Sequence, residues 1–149
     1  MAGPTLACAV FAIDRPQLVQ AHDQAATEIK VAPVETNMHE LMEYVFQPTF
    51  KRLKPAMAPT QAAEPAWKAI KSDSLILAES TNLLLLHTAP KEPARWNETS
   101  AAVRESASQL YRAARQRDFA ASRKAYEQML TSCNACHKEF AGGRHMLAP

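Results

Sequence analysis

Cys133-Asn134-Ala135-Cys136-His137 places two thiols three positions apart, with an imidazole directly after the second. On a helix, positions i, i+3 and i+4 share one face. Two sulfurs and an imidazole on a single face suit a flat group that needs two covalent anchors and one metal ligand. That is the C-x-x-C-H pattern of c-type haem attachment. The cysteines can bond the two vinyl groups of one porphyrin while the histidine reaches the iron from the same side. One covalently attached haem c is the cofactor predicted, held by Cys133 and Cys136, with His137 as an axial ligand.

Other chemistries use parts of this pattern. A redox dithiol also has the form C-x-x-C, but it belongs beside a strand-helix-strand pattern, and none is visible. A zinc site needs four ligands. Cys133, Cys136 and His145 could supply three, and no second pair follows at ligand spacing. The plainest alternative is a chance arrangement on a structural helix.

The remaining titratable residues carry less. His22 lies in a polar N-terminal stretch and His145 in the tail, where exposure is the default. His87 follows a leucine-rich run, where a cationic imidazole suits a helix C-terminus. Glu40, Glu43 and Glu127 read as solvated helix faces. No Ser-His-Asp set, carboxylate pair or phosphate-binding loop occurs, so the polypeptide offers no catalytic residues and the expectation is a protein that is not an enzyme.

The 149 residues suit one domain with a real core. Only three glycines occur, one in the N-terminal leader and the adjacent pair Gly142-Gly143. Alanine, leucine and long polar residues fill the middle, which favours helix over sheet. A net charge of +2 without a basic stripe excludes nucleic acid as a partner. Of three cysteines, Cys8 stands apart from the motif, in the short apolar run Leu6 to Ile13. That run resembles the tail of a secretory signal without its basic start. Leu6-Ala7-Cys8 also faintly resembles a lipoprotein cleavage site, and a disordered apolar N-terminus is the bland alternative. Nothing reaches the roughly 18 apolar residues of a membrane span. Thioether attachment of haem takes place outside the bacterial cytoplasm, so a periplasmic or otherwise exported protein is expected.

Residues 1–33 read as a leader or N-terminal extension, polar and alanine-rich from Arg15. Residues 34–149 read as a four-helix domain that carries the haem motif. Met38, Leu41, Met42, Val45, Phe46, Leu53 and Met57 recur at helical spacing and predict a first amphipathic helix. Pro48 should kink it, because it cannot donate to the Tyr44 carbonyl. Pro55 and Pro59 break it before a linker. Pro65 opens a second helix, with Trp67, Ile70, Leu77, Ala78, Thr81, Leu84 and Leu85 along one stripe. The run Leu83 to Leu86 is apolar nearly all round, so that end should be deeply buried. Pro90 and Pro93 bracket the next turn. A third stripe holds Trp96, Val103, Ala107, Leu110 and Ala114, with Arg104, Arg112 and Arg115 facing water.

Asp118 is a natural N-cap for a fourth helix carrying Phe119, Tyr126, Met129, Leu130, Cys133, His137 and Phe140 on one face. Gly142 suits its left-handed end. The haem motif thus falls on the last turns of a core-facing stripe. Short connections predict an all-α, antiparallel up-down-up-down four-helix bundle with the haem site at its C-terminal end. In that topology the start of the first helix lies beside the end of the fourth, next to the haem. Met38, His39 and Met42 are therefore the candidates for the sixth iron position. By the helical period His39 points about 100° away from Met38, toward the bundle edge. Any one of these methionines could instead be core filler, a role that suits methionine.

A helical chain with C-x-x-C-H on its C-terminal helix resembles a class II c-type cytochrome, meaning cytochrome c′ and its six-coordinate, low-spin relatives. The resemblance covers roughly Val34 to Phe140. Its specific part is Cys133 to His137, followed by Lys138 and Phe140. It implies thioether bonds at Cys133 and Cys136, proximal ligation by His137 and a periplasmic setting. In the electron-transfer branch of that family a methionine on the first helix supplies the sixth ligand. In the gas-binding branch an apolar residue leaves the iron open. Met42, one turn into the helix, resembles the family's ligand position best; Met38 is second and His39 third. Members are often antiparallel homodimers through the first two helices, and the aromatic content here does not decide that point. The N-terminal extension and Pro48 depart from the family pattern.

Two functions follow. With Met42 or Met38 on the iron, His/Met ligation suits an electron carrier that exchanges electrons with redox partner proteins. With neither, an open apolar site would bind nitric oxide or carbon monoxide. The two methionines favour electron transfer. A weak peroxidase would need distal acid–base residues that the sequence does not show.

Overall fold

Prolines and capping residues divide the described residues into four helices. The computed structural model describes residues 30–58, 65–87, 89 and 91–149. Helix α1 is α-helical over Met38–Leu41, π-helical over Met42–Phe46 and α-helical again over Gln47–Ala56. Helix α2 spans Trp67–Leu86, α3 spans Pro93–Arg115 and α4 spans Phe119–Phe140. No strand occurs among the described residues. None of their helices is long and apolar enough to cross a membrane. The apolar run with Cys8, and His22, lie outside the described residues. Val31–Pro149 forms one compact unit.

Local chemistry accounts for most helix ends. Asn37 caps α1, its side chain accepting the His39 N–H at 3.0 Å. Asp118 caps α4 in the same way, accepting from the Ala121 N–H at 2.9 Å. Pro93 occupies the first turn of α3, where a missing N–H costs nothing. Gly142 and Gly143 follow α4 with φ of 62° and 73°, the left-handed region that glycine enters without penalty. Pro65 does not begin α2. The helix starts at Trp67, whose N–H donates to the Pro65 carbonyl at 2.7 Å.

The kink expected at Pro48 takes the form of a π turn. Pro48 leaves the Tyr44 carbonyl without its usual partner, and the turn before it widens. The Gln47 N–H reaches back five residues to the Met42 carbonyl. The Thr49 hydroxyl donates to the Val45 carbonyl at 2.8 Å. A π turn holds one extra residue, which rotates the two ends of α1 by about 100° relative to an unbroken helix. Leu41, on one side of the turn, packs with Leu84, Trp96, Val103 and Cys136. Leu53 and Met57, on the other side, join a larger cluster with Ile70, Leu110, Tyr126 and Leu130. Phe46 touches both clusters.

The leucine run of α2 is not buried all round, contrary to its apolarity. Leu84 is 2% exposed, whereas Leu83 and Leu86 each keep 37% of their surface in solvent. Leu75 and Ile76 share that exposed side. The reason is geometric, since α2 packs against α1 and α3 and its outer face has no neighbour among the described residues. A further link escaped the apolar pattern. Arg52 donates to the buried Asp73 through Nη2 at 2.7 Å and Nε at 3.1 Å, tying α1 to α2.

Neighbouring helices pack closely in chain order, but α1 and α4 do not close the ring. Their described backbones nowhere come within 8 Å, Cα to Cα. Side chains bridge them, as where Arg123 donates to the carbonyl of Met57, the residue that caps the end of α1, at 2.8 Å. Toward the C-terminal end of α4 the gap stays open.

Candidate functional site

That gap is a cavity of about 1020 Å³. It lies at the upper end of the range for small-molecule and cofactor sites. From α4 it receives Cys133, Cys136 and His137; from α1 it receives Met38, His39 and Met42. Phe46, Phe50, Leu77, Leu84, Trp96 and Phe140 supply apolar walls. All six residues singled out from the sequence therefore line one cavity.

Cys136 is buried and Cys133 half-buried, and both are unbonded thiols. Burial pushes the Cys133 thiol up to about 12, and the neighbouring Cys136 adds to the effect. Cys136 is also raised, chiefly by burial, with the Thr99 hydroxyl opposing. Both sulfurs are thus protonated at neutral pH. A redox dithiol needs the opposite shift, toward thiolate. Among the described residues no group of three or more His, Cys, Asp or Glu side chains is placed to hold a metal ion, which removes the Cys133-Cys136-His145 zinc alternative.

His137 Nδ1 lies 2.9 Å from the His145 carbonyl oxygen. A carbonyl only accepts, so Nδ1 carries the proton and Nε2 is left as the metal-binding nitrogen. Burial lowers the His137 pKa from its ordinary value, with the hydrogen bond to the His145 backbone opposing and the nearby His145 ring adding to the lowering. The imidazole is therefore neutral, as a ligand must be. Sequence reasoning put His145 in an exposed tail. Its ring is exposed, but its backbone reaches the site. Nothing in a one-dimensional pattern marks a carbonyl for that role.

The far walls are also held by specific contacts. Trp96 stands edge-on to Phe140 with ring centroids 5.1 Å apart, a favourable aromatic geometry. His39 is exposed, with Nε2 3.1 Å from a Glu43 carboxylate oxygen. Met38 and Met42 are half-buried and pack against the cluster that contains Cys136.

Residues 88–141 match the Cytochrome C' family model. The match takes in α3, α4 and the whole Cys133–His137 motif, while α1 and α2 precede it. No curated protein and no solved structure matches the chain. The cytochrome c′ family consists of haem-binding four-helix bundles, and the all-helical architecture agrees with it. The donor set also fits haem, offering two neutral thiols, one neutral imidazole with Nε2 available and a largely apolar cavity of about 1020 Å³.

Proposed function

We propose that the protein is an electron-carrying c-type cytochrome, exported from the bacterial cytoplasm and carrying one covalent haem. Cys133 and Cys136 would hold the haem as thioethers, and His137 would ligate iron through Nε2. Met42 would close the opposite side. Haem supplies the one-electron chemistry when bound. The polypeptide supplies orientation, exclusion of water and a soft sulfur donor. A methionine thioether favours ferrous iron and raises the reduction potential. Residues 1–33 would serve as the leader and 34–149 as the cytochrome domain. The exposed Leu75, Ile76, Leu83 and Leu86 on α2 are consistent with a homodimer through the first two helices.

One observation carries this proposal, which is that two methionines of α1 line the same cavity as His137. Met38, Met42, Phe46 and Phe50 follow one another along the α1 wall. Met42 lies inside that row and Met38 at its end, so Met42 is the first choice. His39 ranks third because its ring is paired with Glu43 at the surface.

A second function follows from the same apolar wall. Should neither thioether reach the iron, the distal side would be an open hydrophobic site for nitric oxide or carbon monoxide. Optical spectra of the oxidised and reduced protein decide between them. A low-spin ferric spectrum with the weak band of thioether ligation, lost in Met42→Ala together with a fall in potential and new carbon monoxide binding, supports the carrier. Loss of the band in Met38→Ala instead moves the ligand one turn earlier. A high-spin wild type that binds carbon monoxide readily overturns electron transfer in favour of gas binding.

A further inference from the structure

The chain does not leave α4 at Phe140. The His137 carbonyl accepts from the Ala141 and Gly143 N–H groups at 2.9 and 3.1 Å. The left-handed pair Gly142-Gly143 then turns the backbone back along the helix. His145 is also left-handed, with φ of 59°, although it bears a side chain. That conformation is uncommon outside glycine and persists where surrounding contacts enforce it.

Two contacts enforce it here. The His145 carbonyl accepts from His137 Nδ1. Two residues further on, Asn134 grips Leu147 by both backbone groups. The Leu147 N–H donates to Asn134 Oδ1 at 2.7 Å, and Asn134 Nδ2 donates to the Leu147 carbonyl at 2.8 Å. Only a side-chain carboxamide offers a donor and an acceptor in that arrangement. Leu147 meanwhile lines the cavity and packs against the core, so the grip anchors the tail to the bundle.

We propose that Asn134, the first variable position of the attachment motif, is a positioning residue for His137. By holding Leu147 it keeps the His145 carbonyl on Nδ1, and that carbonyl sets the tautomer, ring plane and donor strength of the axial imidazole. The inference rests on the haem assignment above. An Nδ1–H that donates to a carbonyl makes the imidazole a more basic ligand. A more basic ligand favours ferric iron, so releasing the tail raises the reduction potential.

The test uses covalently loaded holoprotein. Asn134→Leu keeps the branched shape and removes both hydrogen bonds, Leu147→Pro removes the backbone donor on the other side, and Asn134→Asp keeps only the acceptor. The readouts are the reduction potential and, by proton NMR, exchange of the His137 Nδ1 proton with water. Asn134→Leu should raise the potential and speed that exchange by about tenfold, the equivalent of one net hydrogen bond. Leu147→Pro and Asn134→Asp each keep one of the two bonds and should fall between Asn134→Leu and the wild type. The double variant should go no further than the larger single effect, because both substitutions cut one link.

Leu147→Pro lies outside the attachment motif, so it tests the same link even if Asn134→Leu fails to load haem. Unchanged potential and proton exchange in Leu147→Pro, or single effects that sum in the double variant, would overturn the role of Asn134 and leave the cytochrome standing. A wild type without covalent haem would overturn both.

Discussion

The indole N–H of Trp96 donates to the carbonyl of Leu84 at 2.8 Å, fastening the first turn of α3 to the last turn of α2 on the cavity wall. The His87 N–H reaches the same carbonyl at 3.3 Å. Trp96 thus closes a helix end and forms part of the cavity wall at once. Trp96→Phe keeps an aromatic ring but removes the donor and part of the packing against Phe140. A loss of about 1–3 kcal/mol in unfolding free energy is expected by denaturant titration, in the range of a broken buried hydrogen bond. An unchanged midpoint would show that the Leu84 carbonyl has no need of Trp96.

Covalent haem has a direct signature. Protein made with a haem-attachment system should gain the mass of one haem and keep it through acid-acetone extraction, while Cys133→Ala combined with Cys136→Ala should lose it. All four helices contribute to the cavity walls, so a bound haem would complete the core. The apo-protein should melt well below the holoprotein, since a cofactor bound only by the native state stabilises it. Equal thermal midpoints would contradict this account.

Alkaline pH should weaken the apo-protein selectively. In the folded state the Cys133 thiol is pushed up to about 12 and Cys136 is raised as well, both by burial. In the unfolded chain both ionise near the ordinary value of 9.0. Below that pH both states keep their protons and stability does not depend on these groups. Above it the unfolded state releases protons that the folded state retains, so stability falls from about pH 9 toward 12. Denaturation midpoints of the apo-protein between neutral and alkaline pH check the slope, and Cys133→Ala should reduce it. Thioether formation removes the protons, so the holoprotein should lack this component.

The π turn in α1 gives Pro48 a testable part in the site. Pro48→Ala restores an N–H for the Tyr44 carbonyl and lets the turn close to ordinary α-helix. The start of α1 would then rotate by about 100° relative to its end. Met38 and Met42 would move together out of their present alignment with the cavity. The thioether band should weaken or vanish in Pro48→Ala, and carbon monoxide binding should appear. A spectrum identical to the wild type would show that Pro48 does not determine the alignment.

Much of this protein is legible along the chain because it is local. Helical periodicity marks stripes such as Trp96, Val103, Ala107, Leu110 and Ala114, all buried. Asp118 and Gly142 act within a turn of their own positions, and the Cys133–His137 pattern carries its chemistry in five adjacent residues. Even the placing of the start of α1 and the end of α4 on one cavity follows from short connections and alternating direction. Tertiary structure decided what depends on distant partners. Leu83 and Leu86 are as apolar as Leu84, yet only the presence of neighbouring helices determines which of them is buried. Pro48 announces a broken hydrogen bond, but not that a π turn would absorb it. Asn134 and the His145 carbonyl belong to segments whose meeting depends on a left-handed turn and a hydrogen-bonded return. A backbone oxygen has no letter in the sequence, so its place at His137 Nδ1 exists only once the chain has folded.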